Sequence, residues 1–442
     1  MIEIKGKYTT AKVMIDDVEP ICASQIHTFV NHAAFTNPVA IMPDTHAGKG
    51  SVIGFTMKLS DRIIPNVVGV DIGCGMLSTN IGNRFPMSFE LLDHKLRRRI
   101  PFGHNVHDHA VLKMKKEFPW HAANVKAEKF SAAYRDEFGI RLEPPRYTND
   151  WFLEKCEIIG GAARRTKNSL GTLGGGNHFI EIGISGVDDY WITVHSGSRN
   201  FGKRVCDFWQ NMAAKWIKKN KKNELRAMIE SIRTTAGAKD IPRLIKQAKA
   251  ASQLNDISLN GLEWLEGKMA ADYLFDMIFA QTYAEQNRAY MAGIITDTLK
   301  VEPVETIETV HNYIDFNDFI IRKGAIRAYT GERMIIPFNM RDGILVCEGK
   351  SNAVWNNSAP HGAGRVMSRT QAKKELTVDA FKEQMQGIFS TSVGMGTLDE
   401  SPDAYKSSKI IEEAIGETAA IKFKIKPLHN LKDTGGPPRR RK

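Results

Sequence analysis

The uneven distribution of glycine most constrains how this 442-residue chain can fold. Short β-branched stretches punctuated by Gly and Pro fill residues 1–80, return over 171–202 and resume after 300, and they predict strands joined by tight loops. Between them, residues 203–299 contain few glycines and long amphipathic runs, which predict helices. We therefore expect an α+β (mixed α/β) fold, with a central β-sheet core and a long helical insertion.

This pattern divides the chain into four parts. Residues 1–202 are predicted to form the N-terminal part of the core, 203–299 the helical insertion, 300–432 the C-terminal part of the core and 433–442 a basic tail. Within the core, FELLDHKLRRRI, NVKAEKFSAAYRDEFGI and the segment after 370 are predicted helices. The Met and aromatic stripe of the insertion indicates core packing. The tail is interpreted as solvated, and contact with RNA is its alternative role.

Composition excludes several classes of protein. Hydrophobic residues make up 42% and charged residues 25%, which is ordinary for a globular chain. The five cysteines include no CxxC pair, so neither a disulfide framework nor a four-thiolate zinc site is predicted. No apolar run reaches the roughly 18 residues that span a bilayer, and the N-terminus does not resemble a secretory signal. We expect a cytoplasmic protein without a membrane partner, and its net charge of +11 favours an anionic partner such as nucleic acid.

Four glycine-bounded patches each carry a side chain that can bind a metal or attack phosphorus. The first, VVGVDIGCGM, puts Asp71 and Cys74 three residues apart, and its glycines allow the backbone to turn so that both side chains converge. A thiolate can bridge two cations, and a neighbouring carboxylate suits Mn²⁺. A buried cysteine beside glycines can equally be a small core residue, so both interpretations stay open for this patch alone.

The next two patches each present a histidine close to a predicted strand. GTLGGGNHFIEI places consecutive glycines before His178, and free N–H groups in such a loop can bind an anion beside a metal-ligating imidazole. WITVHSGSRNFG puts His195 at a strand end beside hydroxyls and an arginine, all of which can contact phosphate. His311 lies in ETVHNYID. Taken singly, each of these histidines could instead be a hydrogen-bonded structural residue.

The fourth patch, SAPHGAGRVMSR, predicts a nucleophile. His361 lies directly before a small-residue turn, and Arg365 and Arg369 would share one side of a helix that began there. A neutral imidazole attacks phosphorus well, while N–H groups and arginines can hold the phosphate. A further stretch, MPDTHAGKG, is predicted to be a tight loop but lacks Walker A spacing, so it is not an NTPase motif.

Together the first three patches and His311 supply one Asp, one Cys and three His, enough ligands for two divalent ions that share the thiolate. His361 remains free to act as a nucleophile. From the residues alone we expect two-metal phosphoryl chemistry on an anionic substrate.

These residues resemble the motifs of the RtcB family of RNA-splicing ligases. The similar stretches, in that family's order between about residues 40 and 369, are MPDTHAGKG, GVDIGCGM, GTLGGGNHFIEI, HSGSRNFG, the HN of ETVHNYID and HGAGRVMSR. The resemblance implies an RtcB-like fold and a GTP- and Mn²⁺-dependent ligase. Such a ligase joins RNA 3′-phosphate or 2′,3′-cyclic phosphate ends to 5′-hydroxyl ends, in RNA repair or tRNA splicing. Whether this chain needs an archease-like activator stays open.

The resemblance also implies a role for each site residue. Asp71, Cys74 and His178 would hold one Mn²⁺, and Cys74, His195 and His311 would hold the second. His361 would attack the α-phosphorus of GTP, release pyrophosphate and form a covalent histidine–GMP. The positions that match the family's nucleotide contacts are Asn177, His178, Phe179, Ile180, Glu181, His311, Asn312, Pro337, Asn339, Met340, His361, Gly362, Ala363, Gly364 and Lys432. Glu181 would accept hydrogen bonds from guanine N1 and N2, which would favour GTP over ATP.

The chain departs from the common family pattern at two places in the predicted nucleotide pocket. PFNMRDGI stands where the family usually has a PGSMG-like stretch followed by Ser, and Ala-Pro precedes His361 in place of Cys. We interpret the chain as a divergent branch, with repair of cleaved RNA as a hypothesis beside tRNA splicing. Two other functions stay open: a two-metal phosphodiesterase or nuclease without a covalent step, and a non-catalytic RNA-binding protein.

Overall fold

The structure, a computed structural model, describes residues 1–257 and 261–436. Helix accounts for 43% and strand for 22%, so the predicted mixed α+β class is confirmed. Residues 437–442 of the predicted basic tail lie outside the described residues. Among the helices that the structure describes, none is long and apolar enough to cross a membrane.

The strands of the described residues form three sheets. In chain order they are β1 (Ile2–Lys5), β2 (Thr10–Val13), β3 (Val39–His46), β4 (Ile53–Lys58), β5 (Gly75–Asn80), β6 (Phe179–Ile184), β7 (Tyr190–Ser196), β8 (Glu305–Val310), β9 (Asn312–Ile314), β10 (Ile320–Lys323), β11 (Ala325–Arg327), β12 (Arg333–Pro337), β13 (Ile344–Gly349), β14 (Ser358–Pro360) and β15 (Ala419–Leu431). Every residue of β5 is buried, and only the outer ends of β6 and β7 are partly exposed. The sheet that contains them therefore lies within the core.

Two large sheets carry the site. The seven-stranded sheet has the order β12-β13-β15-β6-β7-β5-β8 and is antiparallel throughout. The six-stranded sheet has the order β1-β2-β3-β4-β10-β9, with one parallel pair, β2 with β3. The short pair β11 and β14 forms the third sheet. Because β8 and β9 are separated only by residue 311, the two large sheets meet there.

The helices of the described residues are, in chain order, α1 (Pro20–Val30), α2 (Pro65–Val68), α3 (Phe89–Arg99), α4 (Met114–Glu117), α5 (Trp120–Phe138), α6 (Asn149–Ile158), α7 (Ala163–Ser169), α8 (Arg199–Thr235), α9 (Ile241–Ile257), α10 (Gly267–Leu299), α11 (Arg369–Glu375), α12 (Val378–Gln384) and α13 (Ser408–Ala414). The predicted helices around 89–100 and 124–140 correspond to α3 and α5. Their ends use ordinary signals: the Ser88 hydroxyl caps α3, and left-handed Gly139 ends α5.

The long helices of the middle segment differ in burial. α10 is 33 residues long and packs against β5 and β7 as well as α3 and α5, so it belongs to the same core as the sheets. The first half of α8 is buried as far as Ile217, whereas its second half and residues 241–251 of α9 are largely exposed. The domain boundaries at 202 and 299 stay a prediction.

Three sequence expectations about individual elements were wrong. Residues 20–30 form a helix, α1, inside the segment predicted as strands, and proline occupies its first position. The apolar residues Val67 and Val68, which also lie in the segment predicted as strands, end the short helix α2, and the strand β5 begins only after Cys74. The segment after residue 370 contains helices as predicted, but its last element is the 13-residue strand β15, which lies centrally in the seven-stranded sheet.

Candidate metal centre and nucleotide pocket

The loops at the ends of β5, β6, β7 and β8 bring the five predicted metal ligands together. The ligand atoms form two groups, Asp71 with Cys74 and His178, and Cys74 with His195 and His311; within each group all atoms lie within 4.8 Å of one another. The Cys74 sulfur lies 3.4 Å from His178 Nε2 and 3.3 Å from His195 Nε2. Cys74 is therefore common to both groups, as two ions sharing one thiolate require.

Hydrogen bonds to the far ring nitrogens orient two of these imidazoles. His178 Nδ1 lies 2.9 Å from the Leu173 carbonyl and His195 Nδ1 lies 3.2 Å from the Asn177 carbonyl. Each Nδ1 must carry the proton to donate to a carbonyl, so each neutral ring presents its Nε2 lone pair to the cluster. His178 Nε2 then faces Asp71 Oδ2 at 3.0 Å, two acceptors that need a proton or a cation between them.

The donor chemistry fits a divalent transition metal. One thiolate, three imidazoles and one carboxylate suit Mn²⁺ or a similar ion, which needs neutral imidazole and deprotonated thiol. Burial, followed by the neighbouring imidazoles, lowers the pKa of His195 and His311 well below the ordinary value. Burial raises the pKa of the Cys74 thiol and Asp71 raises it further, and a bound cation reverses that shift. Asp71 Oδ1 and His311 Nδ1 are buried without a hydrogen-bond partner.

Helix α10 fixes the loops that carry these ligands. Asn287 Oδ1 accepts hydrogen bonds from the N–H groups of Gly171 and Thr172, at 2.7 and 3.1 Å. Arg288 is fully buried, and its guanidinium donates to the carbonyls of Gly73 and Ser196, at 2.7 and 2.9 Å. Each of these contacts lies next to a ligand loop in sequence. The cluster is thus held by a rigid helix, as a preorganised site requires.

His361 lies beside the cluster and is oriented by Asp44. The His361 and His311 ring centroids are 4.9 Å apart. Asp44, which is fully buried in β3, places Oδ2 2.6 Å from His361 Nδ1 and also accepts from the His361 backbone N–H at 3.2 Å. The carboxylate therefore holds the proton on Nδ1, which leaves the Nε2 lone pair free. This is the arrangement that a nucleophilic imidazole needs.

A cavity of about 650 Å³ opens beside His361 and reaches the metal cluster at His195. The predicted nucleotide contacts that line it are Asn177, Phe179, Glu181, Pro337, Asn339, Met340, His361, Gly362, Ala363, Gly364 and Lys432. The cavity is of the size that small-molecule ligands use.

Four of the predicted nucleotide contacts do not line this cavity. His178 and His311 belong to the metal-ligand groups. Ile180 is fully buried in an apolar cluster of the core, because its neighbours Phe179 and Glu181 take the cavity side of the strand. Asn312 Oδ1 accepts a hydrogen bond from the Gly324 N–H at 3.0 Å, so its side chain braces the backbone next to His311.

The divergent stretch 337–344 forms the turn between β12 and β13. Asn339 Oδ1 accepts from the N–H groups of Arg341 and Asp342, both at 2.9 Å, and Asn339 Nδ2 donates to Asp342 Oδ2 at 2.8 Å. The side chain of Asn339 is therefore occupied by the turn. Its oxygen and one of its two amide N–H groups are used within the turn, and the residue shapes the cavity wall.

A cluster of opposite charges lies at the far side of the cavity. Glu400 is buried between cations: Lys432 Nζ lies 3.0 Å from Oε2, and Arg369 and Arg365 lie 2.6 and 3.5 Å from Oε1. Burial would raise the pKa of Glu400, but Lys432 and Arg369 lower it to about 2. Arg365 and Arg369 thus converge on one carboxylate, although Arg369 begins α11 and Arg365 precedes it.

Glu181 is a buried carboxyl with one unused oxygen. Its Oε2 accepts from Asn430 Nδ2 at 2.9 Å, and its Oε1 is buried without a partner. Burial raises the pKa of Glu181 to about 8, although Asn430 and Lys432 act in the opposite direction. An unpaired buried acceptor in a cavity wall fits a ligand that carries N–H donors.

Close backbone approach requires glycine at two points of the site. Gly364 has φ +73°, and a Cβ there would lie 2.2 Å from the Asp44 carbonyl oxygen. Gly174 has φ +94°, and a Cβ there would lie 2.5 Å from His178 Nδ1. Any side chain at either position would displace a residue of the cluster.

A second cavity, of about 420 Å³, adjoins Asp71 on the other side of the cluster. Its wall is rich in cations, with Arg165, Arg199 and Lys203 beside Asp71. Arg199 donates to the Thr172 hydroxyl at 2.9 Å, which fixes its guanidinium next to the ligand loop. These cations suit phosphate oxygens.

Sequence reasoning did not assign a role to three side chains of the site. Asp44 was noted in MPDTHAGKG but without a partner, and only the fold brings it to His361. Glu400 lies in a region without a glycine-rich motif and had no signal of its own. Arg199 was predicted only as a phosphate contact beside His195, and its position as the first residue of the long helix α8 could have indicated its place in the second cavity.

The fold and the site together define an α+β protein with two candidate metal-ligand groups that share Cys74 and with a cavity of the size that small-molecule ligands use. The family model described as tRNA-splicing ligase RtcB matches residues 25–433, so the chain belongs to the RtcB family. It is 29% identical over 412 residues to the RNA-splicing ligase RtcB of Escherichia coli (strain K12). The aligned region covers 88% of each chain. It is 25% identical over 453 residues to the tRNA-splicing ligase RtcB of Archaeoglobus fulgidus, which covers 88% of this chain and 86% of the relative.

Proposed function

We propose that this chain is a GTP- and Mn²⁺-dependent RNA ligase, which joins RNA 3′-phosphate or 2′,3′-cyclic phosphate ends to 5′-hydroxyl ends through a covalent histidine–GMP. One observation carries the proposal: His361, oriented by Asp44, lies beside two ligand groups that share Cys74 and faces a nucleotide-sized cavity. A simple two-metal hydrolase has no need of an oriented imidazole outside its ligand groups. The names of the curated relatives support the same activity.

The first step takes place at His361. Its Nε2 lone pair attacks the α-phosphorus of GTP, the N–P bond forms, and the bond to the bridging oxygen breaks to release pyrophosphate. Asp44 accepts the Nδ1–H hydrogen bond throughout and stabilises the positive charge that develops on the ring. Arg365, Arg369 and Lys432 offer cations at the cavity for the triphosphate. Bound Mn²⁺ would neutralise charge on the phosphate oxygens and lower the pKa of a coordinated water.

The RNA ends react in two further steps. An oxygen of the RNA 3′-phosphate attacks the GMP phosphorus, and the N–P bond to His361 breaks. The 5′-hydroxyl then attacks the activated 3′-phosphorus and releases GMP, which leaves a 3′,5′-phosphodiester. A cyclic phosphate must first be opened by water. Arg165, Arg199 and Lys203 in the second cavity are suited to hold the RNA phosphate during these steps.

Glu181 supports GTP over ATP as the nucleotide. The N1–H and N2–H groups of guanine can donate hydrogen bonds to Oε1 of Glu181, which has no partner in the protein. Adenine has an acceptor at N1 instead of a donor. A site built to hydrogen-bond a ligand rejects an analogue that leaves its buried group unpaired. The archease-like activator, the physiological RNA and the cytoplasmic location stay predictions.

Incubation with GTP labelled at the α-phosphate and Mn²⁺ tests the proposal. We expect a covalent label that is stable to alkali and lost in acid, the behaviour of a phosphoramidate. His361→Ala should abolish it. Asp44→Asn, which keeps the shape but weakens control of the tautomer, should slow label formation by roughly 10²- to 10⁴-fold. Ligation of a 3′-phosphate RNA to a 5′-hydroxyl RNA is then measured with the same proteins.

The control is His27→Ala, which removes an exposed histidine in the last turn of α1 that lines neither cavity. It should leave the label intact. If the wild-type chain contains its metals but takes no label and cleaves RNA, the two-metal phosphodiesterase is the better description. If it binds RNA without metals or label, it is a non-catalytic RNA-binding protein.

A further inference from the structure

The second half of α8 and the first part of α9 form a strongly basic helical arm, defined here as residues 215–249. It carries eleven lysines and arginines against three acidic residues, a surplus of +8 in a chain whose total is +11. Most of the positive charge that distinguishes this protein is thus concentrated in a segment that contributes no residue to either cavity. A segment with this charge calls for an anionic partner.

The cations of α8 form a straight stripe. At 3.6 residues per turn, Lys215, Lys219, Lys222, Arg226 and Arg233 lie within about 30° of a common line along the helix. We call these five residues the basic stripe. It is about 27 Å long at 1.5 Å per residue. Glu224, by the same periodicity, lies on the opposite face of the helix.

The stripe is solvent-exposed: all five side chains are in the exposed class. Among the described residues, no carboxylate lies within ion-pair distance of Lys215, Lys219 or Lys222, whereas Arg233 pairs weakly with Glu230 at 3.8 Å. Such a row of like charges opposes folding by mutual repulsion. The stripe therefore does not stabilise the arm through ion pairs, and a ligand is the better explanation for it.

One continuous helix connects the stripe to the site. α8 begins at Arg199, which lines the second cavity with Lys203, and Lys215 follows about 24 Å further along the axis. A stacked RNA strand advances about 3.4 Å per nucleotide, so an RNA running beside α8 reaches Lys215 roughly seven nucleotides from its reacting end. The stripe is therefore within reach of the substrate but remote from the chemistry.

We propose that the basic stripe binds the phosphate backbone of the RNA substrate away from the reacting ends, so that the arm sets the affinity for long RNAs. The inference rests on the proposed RNA ligase function. The stripe recurs at the helix pitch, and the arm contains a single aromatic residue, the half-buried Trp216, which by the same periodicity lies off the stripe; no other Trp, Tyr, Phe or His occurs over 215–249. Protein interfaces depend on buried aromatic anchors, whereas backbone binding depends on rows of cations, so RNA is favoured over an acidic protein.

The test compares a variant with all five stripe residues changed to Gln against a matched variant with five exposed lysines outside the arm changed to Gln. The control positions are Lys5, Lys7, Lys129, Lys350 and Lys409. Each full-length protein ligates two substrate pairs with identical end sequences, one with strands of about 6 nucleotides and one with strands of about 40 nucleotides. Binding of the long RNA without GTP is measured by fluorescence anisotropy over a range of salt concentrations.

We expect the stripe variant to lose about tenfold or more in kcat/KM on the long substrate, with the short substrate unchanged. Its slope of log affinity against log salt should fall by about 3.5, because roughly 0.7 is lost for each of the five phosphate contacts to a single strand. The control variant should match wild type in both assays. Equal effects on long and short substrates, or unchanged binding of long RNA, would overturn the proposal and leave an acidic protein as the partner.

Failure of the proposed function gives a different result. If wild type does not ligate either substrate, the ligase assignment fails, but the anisotropy measurement still tests the stripe. Circular dichroism of each variant checks that the helices are retained, since every substituted side chain is exposed.

Discussion

The metal centre and the basic arm place their charged and ligating groups in opposite environments. The four ligands Cys74, His178, His195 and His311 are 2 to 6% exposed and held by hydrogen bonds to loops and to α10. The stripe residues on α8 are exposed and lie on a helix face with no core to fix them. Buried groups keep their geometry and interact strongly, whereas exposed charges act over distance and are screened by salt.

This difference implies that the two regions respond differently to mutation. A preorganised cluster loses its function when a single ligand changes, because its remaining donors cannot replace the missing one. An exposed row of cations loses affinity in steps, because each phosphate contact adds a similar increment. Mutations can test this difference. Substitutions in the buried cluster should change the chemical steps, and substitutions in the arm should change the affinity for RNA and its salt dependence.

The largest effect is expected from Cys74→Ala. This change removes the one atom common to both ligand groups, so we expect metal content to fall well below the about two Mn²⁺ per chain predicted for wild type. Since changes to residues behind metal ligands already cost about 10- to 100-fold, loss of a shared ligand should reduce label formation by more than about 100-fold. Metal content is measured by elemental analysis after gel filtration.

Cys347→Ala is the matched control, because Cys347 is equally buried but packs in an apolar cluster on β13. It should retain its metal and its activity, with only a small loss in melting temperature. If both variants lose metal alike, the effect comes from core packing, and the shared thiolate is not the cause.

The sequence predicted the parts of the site whose residues carry their own chemical signal. Asp71, Cys74, His178, His195 and His361 each lie in a glycine-bounded motif, His311 lies in ETVHNYID, and the structure brings their ligand atoms and rings together. Asp44 was missed as the partner of His361, because 317 residues separate them and only the docking of β3 beside β14 makes the contact. The position of Glu400 between three cations likewise depends on tertiary packing.

The fold was predicted by class but not at each element. β15 was missed although AIKFKIK alternates apolar and charged residues. The helical sequence pattern that precedes it and Pro427 within it obscured the strand. A bulge between Pro427 and His429 accommodates that proline in the structure. α1 was missed although its buried residues Cys22, Ile26, Phe29 and Val30 recur at helical spacing, because it is short and lies among strands.

An intermediate effect, dependent on pH, is expected at Glu181. Its pKa is raised to about 8 by burial, so the carboxyl is largely protonated at neutral pH and ionises as pH rises through 8. Only the ionised form can accept from both guanine donors, so GTP affinity should increase over this range. In Glu181→Gln the pH dependence should disappear, and the preference for GTP over ATP should fall by roughly tenfold or more. Calorimetric titration of each nucleotide between pH 6.5 and 8.5 measures both.

Asn430→Ala serves as its control, because it removes the hydrogen bond to Oε2 without removing the carboxyl. Since that hydrogen bond favours the ionised form, its loss should move the transition to higher pH while the GTP preference persists. A wild-type GTP affinity that stays constant through pH 8 would contradict the assigned role of Glu181.

The smallest effect separates the two faces of α8. Lys222→Gln removes one stripe cation and should lower the salt slope of long-RNA binding by about 0.7, with a few-fold loss of affinity at low salt and no loss in label formation. Glu224→Gln, two residues away on the opposite face, changes net charge by the same amount and should leave the slope unchanged. If net charge alone drew RNA to the arm, the two substitutions would shift affinity by equal and opposite amounts. Only a stripe that contacts phosphates directly makes them unequal, so this pair distinguishes a bound backbone from a diffuse attraction.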